Sequence, residues 1–175
     1  MEKKVIVIAA VSQNGVYGEG EKIPWRILED VKHFKELTTR HTVIMGRRTW
    51  ESLPINFRPL PDRDNMVITN TSDYEAKGAE VFASVEQAIH AANTEKVFCI
   101  GGSSIWYLAM RLADEAWITV VKESYPITPG VTHCALELLN PAAKWPFSLK
   151  EMKVNKDASG NIPGFSIVHW VNKKK

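Results

Sequence analysis

Residues 42–50 read TVIMGRRTW: an apolar run ends at Gly46 and passes at once into two arginines and a helical segment. Residues 97–106, VFCIGGSSIW, repeat the arrangement with Gly101 and Gly102 at the junction. Strands this dense in apolar residues have no solvated face, which is typical of parallel strands covered by helices. The two stretches predict parallel strands of one sheet, each entering a helix through glycine.

The rest of the chain continues this alternation. Apolar or β-branched runs predict strands at 5–11, 42–46, 66–69, 80–83, 97–100 and 116–122, and helical patterns occupy 27–38, 47–53, 85–92 and 103–112. Ser84 and Gln87 form a capping box for the third helix. Residues 148–155 and 165–172 predict a terminal hairpin joined by the turn-rich segment 156–164. The pattern predicts an α/β fold whose sheet ends in an antiparallel hairpin.

Length and composition limit the class of protein. The 175 residues, with 45% hydrophobic and 24% charged side chains, suit one globular domain over 1–175. A net charge of +2 is too small to indicate a nucleic-acid protein. No apolar run reaches the roughly 20 residues of a membrane helix, and residues 2–4 lead directly into the strand-like stretch 5–11 with no cleavable h-region after it. We expect a cytoplasmic monomer with a small-molecule substrate, no nucleic acid and no membrane.

The cysteines and histidines favour neither disulfides nor metal. Cys99 and Cys134 lack CxxC spacing, so we expect buried free thiols. The five histidines include no i, i+4 pair and no HExxH motif, which disfavours a helix-borne zinc site.

Asp30 breaks the pattern of the first helix. A helical wheel divides the helix into an apolar arc and a polar arc on opposite sides. The apolar arc contains Ile27, Val31, Phe34 and Leu37. The polar arc contains Glu29, Lys32, His33 and Glu36. Asp30 lies inside the apolar arc, where burying an unpaired charge would cost roughly several kcal/mol of folding free energy. It either complements the helix dipole in the first turn or pairs with a ligand that carries a cation or a fork of hydrogen-bond donors.

The two glycine junctions predict anion sites. Free N–H groups at a helix start favour phosphate, and Arg47 and Arg48 add charge and bidentate donors. Each junction alone could be a tight turn, whereas two in one parallel sheet favour a dinucleotide. GxGxxG and Walker A motifs are absent. Residues 12–24, with GxxGxG spacing, predict a structureless segment that is either a lid or a disordered excursion, and we favour the lid.

With these features the chain resembles dihydrofolate reductase from its start to about Val121. The matching pieces are Ile8-Ala9-Ala10, Pro24-Trp25, Asp30 with Phe34, residues 43–47 and 49–52, residues 58–61 before Arg63, Ile100-Gly101-Gly102, and Ile118-Thr119. The resemblance implies an eight-stranded, mostly parallel mixed sheet flanked by four helices. It also implies NADPH-dependent reduction of 7,8-dihydrofolate to tetrahydrofolate, by hydride transfer to C6 and protonation of N5.

The resemblance also implies the residues of the substrate site. Asp30 would accept hydrogen bonds from the pterin 2-amino group and N3, with Thr119 orienting the carboxylate. Arg63 would bind the α-carboxylate of the folate glutamate. The catalytic candidates are Asp30, Thr119 and Trp25, and the pocket lining comprises Ile8, Val31, Phe34 and Leu60, all of which an ordinary core could also contain.

For NADPH, the resemblance implies phosphate contacts around Gly46, with Arg47 nearest the 2′-phosphate. It also implies a carboxamide contact at the Ala10 backbone and a cis peptide between Gly101 and Gly102. The candidate set is Ala10, Gly18, Gly46, Arg47, Arg48, Thr49, Asn70, Gly101, Gly102, Ser103, Ser104, Ile105 and Trp106.

Four positions depart from the family's pattern. Trp106 replaces a tyrosine near the nicotinamide, so the phenolic hydroxyl is lost there. Val131 replaces the acid of a GDTHFP-like stretch at 130–134. Ile23 replaces a frequent methionine or leucine, and Asn70 replaces a serine that often binds the 2′-phosphate. We expect altered lid behaviour.

Two other functions share parts of this pattern. A pyrimidine reductase of riboflavin synthesis has the same sheet and cofactor, but Asp30 and Arg63 argue against it. A catalytically silent nucleotide-binding module would not need Asp30, Thr119 and Arg47 together.

Overall fold

The computed structural model describes residues 2–20, 22–133, 138 and 140–174. The strands within these ranges are β1 (Lys4–Ser12), β2 (Val16–Glu19), β3 (Thr42–Gly46), β4 (Asp64–Ile68), β5 (Glu80–Phe82), β6 (Lys96–Gly101), β7 (Glu115–Val121), β8 (Val131–His133), β9 (Phe147–Lys156) and β10 (Phe165–Asn172). The α-helices there are α1 (Leu28–Thr38), α2 (Arg47–Ser52), α3 (Val85–Ala91) and α4 (Ser103–Met110).

Across these described ranges, eight strands form one mixed sheet in the order β5-β4-β3-β6-β1-β7-β10-β9. β10 runs antiparallel to both β7 and β9, and the other neighbours are parallel. The predicted fold class, the terminal hairpin and the four helices are confirmed. The Ser84 side chain accepts a hydrogen bond from the Gln87 N–H at the start of α3, as its motif predicted.

The core lies on both faces of the sheet, which explains the dense apolar strands. In β3, Val43, Ile44 and Met45 are all completely buried. One core cluster takes residues of α3 and α4, and the other takes Ile27 from the start of α1 and Trp50 from α2. Because helices cover both faces, neither side of the central strands needs a polar residue.

The two glycine junctions meet at the edge of the sheet formed by the carboxyl ends of its parallel strands. β3 and β6 are direct neighbours, with Met45 opposite Gly101. A Cβ on Gly46 would lie 3.9 Å from both the Gly101 oxygen and the Gly102 nitrogen. The parallel pairing therefore brings two chain segments that lie more than fifty residues apart into contact.

The prediction for α1 was wrong in its rotation. His33 is buried, with its ring 4.9 Å from that of Trp117, whereas Val31 is 58% exposed. Burial, with Lys153 nearby, lowers the pKa of His33 to about 4, so the imidazole is neutral at pH 7. A neutral imidazole can pack against the Trp117 indole without burying a charge. With His33 buried and Val31 exposed, the inward face of α1 is centred near Asp30.

The prediction that the segment 12–24 is structureless was wrong. Its β2 pairs with β8 in a second, antiparallel sheet, with Glu19 opposite Val131. The Asn14 amide also donates to the Tyr125 oxygen at 2.8 Å. Both partners lie more than a hundred residues away, and a four-residue strand is too short to show an alternating pattern.

Cys99 is buried as predicted, and burial raises the pKa of its thiol to about 12. Cys134 lies outside the described residues. Within the described part of the chain, no helix combines the length and apolar character needed to cross a membrane.

Candidate active site

The Asp30 carboxylate is held by β7. It lies in the first turn of α1, and the buried Thr119 hydroxyl donates a 2.5 Å hydrogen bond to Asp30 Oδ1. Burial raises the pKa of Asp30, and the Thr119 hydrogen bond opposes that rise. Among the described residues Thr119 is the only hydrogen-bond donor to this carboxylate, so Oδ2 retains its capacity to accept.

Three of the predicted pocket residues belong to one core cluster, which also contains Ile27 from the start of α1. Ile8 and Leu60 are buried, and Phe34 packs at the margin of the same core cluster. On the outer side of α1, Leu28 is 66% exposed and Val31 58% exposed. An exposed apolar side chain next to a partly buried acid is suited to a ligand with a flat apolar body and polar N–H groups at one edge.

Arg63 lies at the other end of α1. Its Nη1 donates to Thr38 Oγ1 at 3.1 Å, its Nε donates to the Pro61 oxygen at 2.9 Å, and its guanidinium lies 5.8 Å from the centre of the Phe34 ring. Asp30 and Thr38 are eight residues apart, or about 12 Å along a helix. The Asp30 carboxylate and the Arg63 guanidinium therefore lie toward opposite ends of α1, at a separation that suits an extended ligand.

The glycine junctions form the second part of the site. A Cβ on Gly102 would lie 3.7 Å from Thr49 Oγ1, and one on Gly46 would lie 3.4 Å from the buried Ile105 side chain. The Gly101–Gly102 peptide is cis, as expected from the resemblance. Gly46, Thr49, Gly102 and Ile105 are therefore brought together at one sheet edge.

Arg47 and Arg48 begin α2 at this edge. Arg47 Nη1 is 3.9 Å from Glu51 Oε1, and its guanidinium lies 5.8 Å from the centre of the Tyr74 ring. Arg48 is exposed. Asn70 is also exposed and follows β4, whose last residue lies opposite Gly46. These residues place positive charge and an amide beside the Gly46 junction.

The side chain of Trp106, which the resemblance places near the nicotinamide, lies in the core. It is buried, and its Nε1 donates a 3.0 Å hydrogen bond to the Ile8 oxygen. Tyr17, which was not among the predicted site residues, contacts the Trp106 ring edge-on at 5.0 Å and donates a hydrogen bond to Ser103 Oγ at 3.2 Å. No local pattern distinguishes Tyr17, because its neighbours come from a distant helix.

The remaining candidates lie in varied positions. Ala10 lies opposite Thr119 in the β1–β7 pair, next to the Asp30 site. Gly18 lies opposite Thr132 in β2, and a Cβ there would collide with the Thr132 hydroxyl, which accounts for this glycine without a ligand. Ser104 is exposed on α4.

Trp25 is buried, and its ring lies 5.3 Å from that of Tyr125. Its Nε1 is also buried and has no acceptor among the described residues. Because a buried indole N–H usually has a hydrogen-bond partner, this donor is suited to a water or a ligand atom.

Comparison with known proteins gives one consistent result. Residues 4–134 match the family model for dihydrofolate reductase. The chain is 47% identical to the dihydrofolate reductase of Mycobacterium leprae over 116 residues, covering 66% of this chain and 70% of that protein. It is 46% identical to that of Neisseria gonorrhoeae over 119 residues, covering 67% and 72%.

A solved structure gives the same result over nearly the whole chain. It is dihydrofolate reductase from Enterococcus faecalis complexed with NADP(H) and RAB-propyl. The TM-score is 0.79 at 25% identity, with 97% of this chain and 96% of that chain covered.

Proposed function

The chain belongs to the dihydrofolate reductase family, and we propose that it has one active site with two halves. The substrate half lies around Asp30, and the cofactor half lies at the junctions of Gly46 and Gly102. The reaction is the NADPH-dependent reduction of 7,8-dihydrofolate to 5,6,7,8-tetrahydrofolate. The observation that supports this assignment of the site best is the partly buried Asp30 carboxylate, which has one donor in the described chain and is followed along α1 by the exposed apolar side chain of Val31.

Asp30 binds the pterin ring. A carboxylate accepts two parallel hydrogen bonds, which matches the neighbouring 2-amino and N3 donors of the substrate. Thr119 holds Oδ1 and so fixes the plane of the carboxylate. The separation between Asp30 and Arg63 then allows the guanidinium to bind the α-carboxylate of the folate glutamate.

Apolar side chains hold the body of the substrate between these charged ends. Ile8 and Leu60 form the buried wall, while Val31 and Phe34 cover the side of α1. This arrangement stabilises the substrate by burying its ring and benzoyl group and leaves orientation to Asp30 and Arg63.

The cofactor half fits NADPH because its glycines have no side chain, and a Cβ at these positions would fill the space that a diphosphate needs. At Gly102 that space lies against the Thr49 hydroxyl, and Gly46 borders the same edge. Arg47 and Arg48 bind phosphate groups, with Arg47 toward the 2′-phosphate, and the Ala10 backbone receives the carboxamide. NADPH, when bound, supplies the hydride that reduces C6.

The chain's own residues assist protonation of N5. Asp30 polarises the bound ring by attracting its N–H edge, and this favours addition of a proton at N5. Trp25 Nε1, which has no acceptor among the described residues, is available to order the water that carries that proton. Neither residue forms a covalent bond to the substrate.

We also propose that the protein acts as a monomer in the cytoplasm and binds no nucleic acid. Its small net charge of +2 supports the last point.

The activity is tested by mixing the protein with NADPH and 7,8-dihydrofolate and following the loss of nicotinamide absorbance. We expect turnover with dihydrofolate and none with the pyrimidine intermediate of riboflavin synthesis. Turnover of that intermediate alone would assign the other reductase function. NADPH binding without turnover of either would indicate a silent nucleotide-binding module.

Replacing Arg47 with glutamine is expected to raise the KM for NADPH about 10- to 100-fold and to leave the KM for NADH nearly unchanged. The physical reason is the loss of a charged, bidentate donor to a phosphate that only NADPH carries. Arg111→Gln, an exposed arginine that follows α4, is the control and should change neither KM. Equal increases for both cofactors would contradict the assignment of Arg47 to the 2′-phosphate.

A further inference from the structure

Tyr17 connects the lid strand β2 to the start of α4. Its ring lies 5.0 Å from that of Trp106 at an interplanar angle of 75°, and its hydroxyl donates to Ser103 Oγ at 3.2 Å. The side chain is half-buried. The phenol thus lies beside the first residue of α4, where the cofactor half of the site begins.

Trp106 cannot provide a hydrogen bond at this position. An indole has one N–H donor and no acceptor, and this one is committed to the Ile8 oxygen at 3.0 Å inside the core. The family's usual tyrosine at position 106 would carry a phenolic hydroxyl. In this chain the nearby phenol comes from β2 instead.

Two hydroxyl groups converge on Gly102. A Cβ there would lie 3.6 Å from Tyr17 Oη and 3.7 Å from Thr49 Oγ1. They come from different elements, the lid strand and α2, and they border the space that the missing side chain leaves open. At the same point, the start of α4 has no side-chain cap.

We propose that Tyr17 is a cofactor-binding residue of the lid, whose hydroxyl hydrogen-bonds the diphosphate of NADPH opposite Thr49. This inference rests on the proposed function, since it adds a contact to the same cofactor half. Ser103 keeps the phenol aimed at Gly102 until the cofactor binds. The phenolic hydrogen then turns to a phosphate oxygen, a stronger acceptor because it is charged.

The contact also couples the lid to the cofactor. β2 pairs with β8 on one side and contacts α4 through the Tyr17 hydroxyl and the Tyr17 ring, which meet Ser103 and Trp106 respectively. A diphosphate that holds the phenol therefore holds β2 over the Gly102 junction. The energy of this contact appears in the affinity for ligands that carry the diphosphate.

Isothermal titration of Tyr17→Phe with NADPH and with adenosine 2′,5′-bisphosphate tests the proposal. The variant retains the ring and its packing on Trp106 and loses only the hydroxyl. We expect the Kd for NADPH to rise about 10-fold, as for loss of a hydrogen bond to a charged group. The Kd for the bisphosphate, which lacks the diphosphate and the nicotinamide, should stay within about twofold.

Tyr125→Phe is the matched control. Tyr125 also contacts the lid, through Asn14, and its hydroxyl donates to Glu123 on the surface. We expect both dissociation constants to equal those of the unmodified protein. An unchanged NADPH affinity in Tyr17→Phe, or equal losses for both ligands, would overturn the Tyr17 assignment. Failure of the unmodified protein to bind either ligand would instead overturn the proposed cofactor site.

Discussion

The Asp30→Asn variant is expected to lose roughly 100- to 1,000-fold in kcat/KM for dihydrofolate at pH 7, as for removal of one preorganised electrostatic group. The asparagine amide matches the shape of the carboxylate and can still accept from Thr119, but it has no charge with which to hold two N–H donors. The Kd for NADPH should stay within about twofold, because the cofactor half does not use Asp30. Steady-state assays with saturating NADPH and direct titration separate the two effects.

The same variant should be more stable than the unmodified protein at pH 7. Burial raises the pKa of Asp30 above its unfolded value. Ionisation of Asp30 therefore opposes folding, and the penalty grows as pH rises from the ordinary carboxyl pKa through the raised one. The asparagine side chain of the variant never ionises, so its advantage in melting temperature should be full above this window and vanish below it.

Glu29→Gln provides the matched control. Glu29 is the exposed neighbour of Asp30 in the first turn of α1, so both carboxylates can complement the helix dipole. If Asp30 did no more than that, the two variants would lower the melting temperature similarly and leave kcat/KM unchanged. This outcome would contradict the role of Asp30 in substrate binding.

The Gly101→Ala variant is expected to be destabilised by on the order of 3 kcal/mol, because two costs add. Gly101 has a φ of 112°, where side chains other than glycine are strained. A Cβ there would also lie 2.7 Å from two ring atoms of Trp106. Trp106 is buried and hydrogen-bonded to β1, so its ring has little freedom to move. For a domain of this size the melting temperature should fall by roughly 10 °C.

Gly102→Ala is the adjacent control and separates folding from cofactor binding. Its φ is −71°, and its nearest contacts would be the Tyr17 and Thr49 hydroxyl groups at ordinary distances of 3.6 and 3.7 Å. We expect a melting temperature close to that of the unmodified protein, with weakened NADPH binding because the methyl group occupies the diphosphate space. A stable, fully active Gly101→Ala protein would contradict the predicted collision.

Much of the fold could be predicted because its signals are local. The strands 42–46 and 165–172 were predicted with the bounds that the structure gives, since apolar density and flanking turn residues mark their ends. The capping residue Ser84 and the Gly46 junction are local signals of the same kind. β2 and β8 could not be predicted, because each is short and is stabilised by the other across the chain.

The site divides in the same way. The anomaly of Asp30 is visible on a helical wheel, whereas the burial of His33 and the exposure of Val31 depend on how α1 rotates against Trp117. The convergence of Tyr17 on Gly102 depends on the path of the lid and has no local signature.

The order of the amino acids is enough to predict the alternation of strands and helices, the glycine ends of β3 and β6, and an acid on the apolar side of α1. These follow from the preferences of neighbouring residues, which act over one or two turns of chain. The folded chain was needed to show which hydroxyl groups face Gly102, that Trp106 donates to Ile8, and that Thr119 is the donor to Asp30. Such contacts join residues tens of positions apart, and their geometry is set by strand register and helix packing.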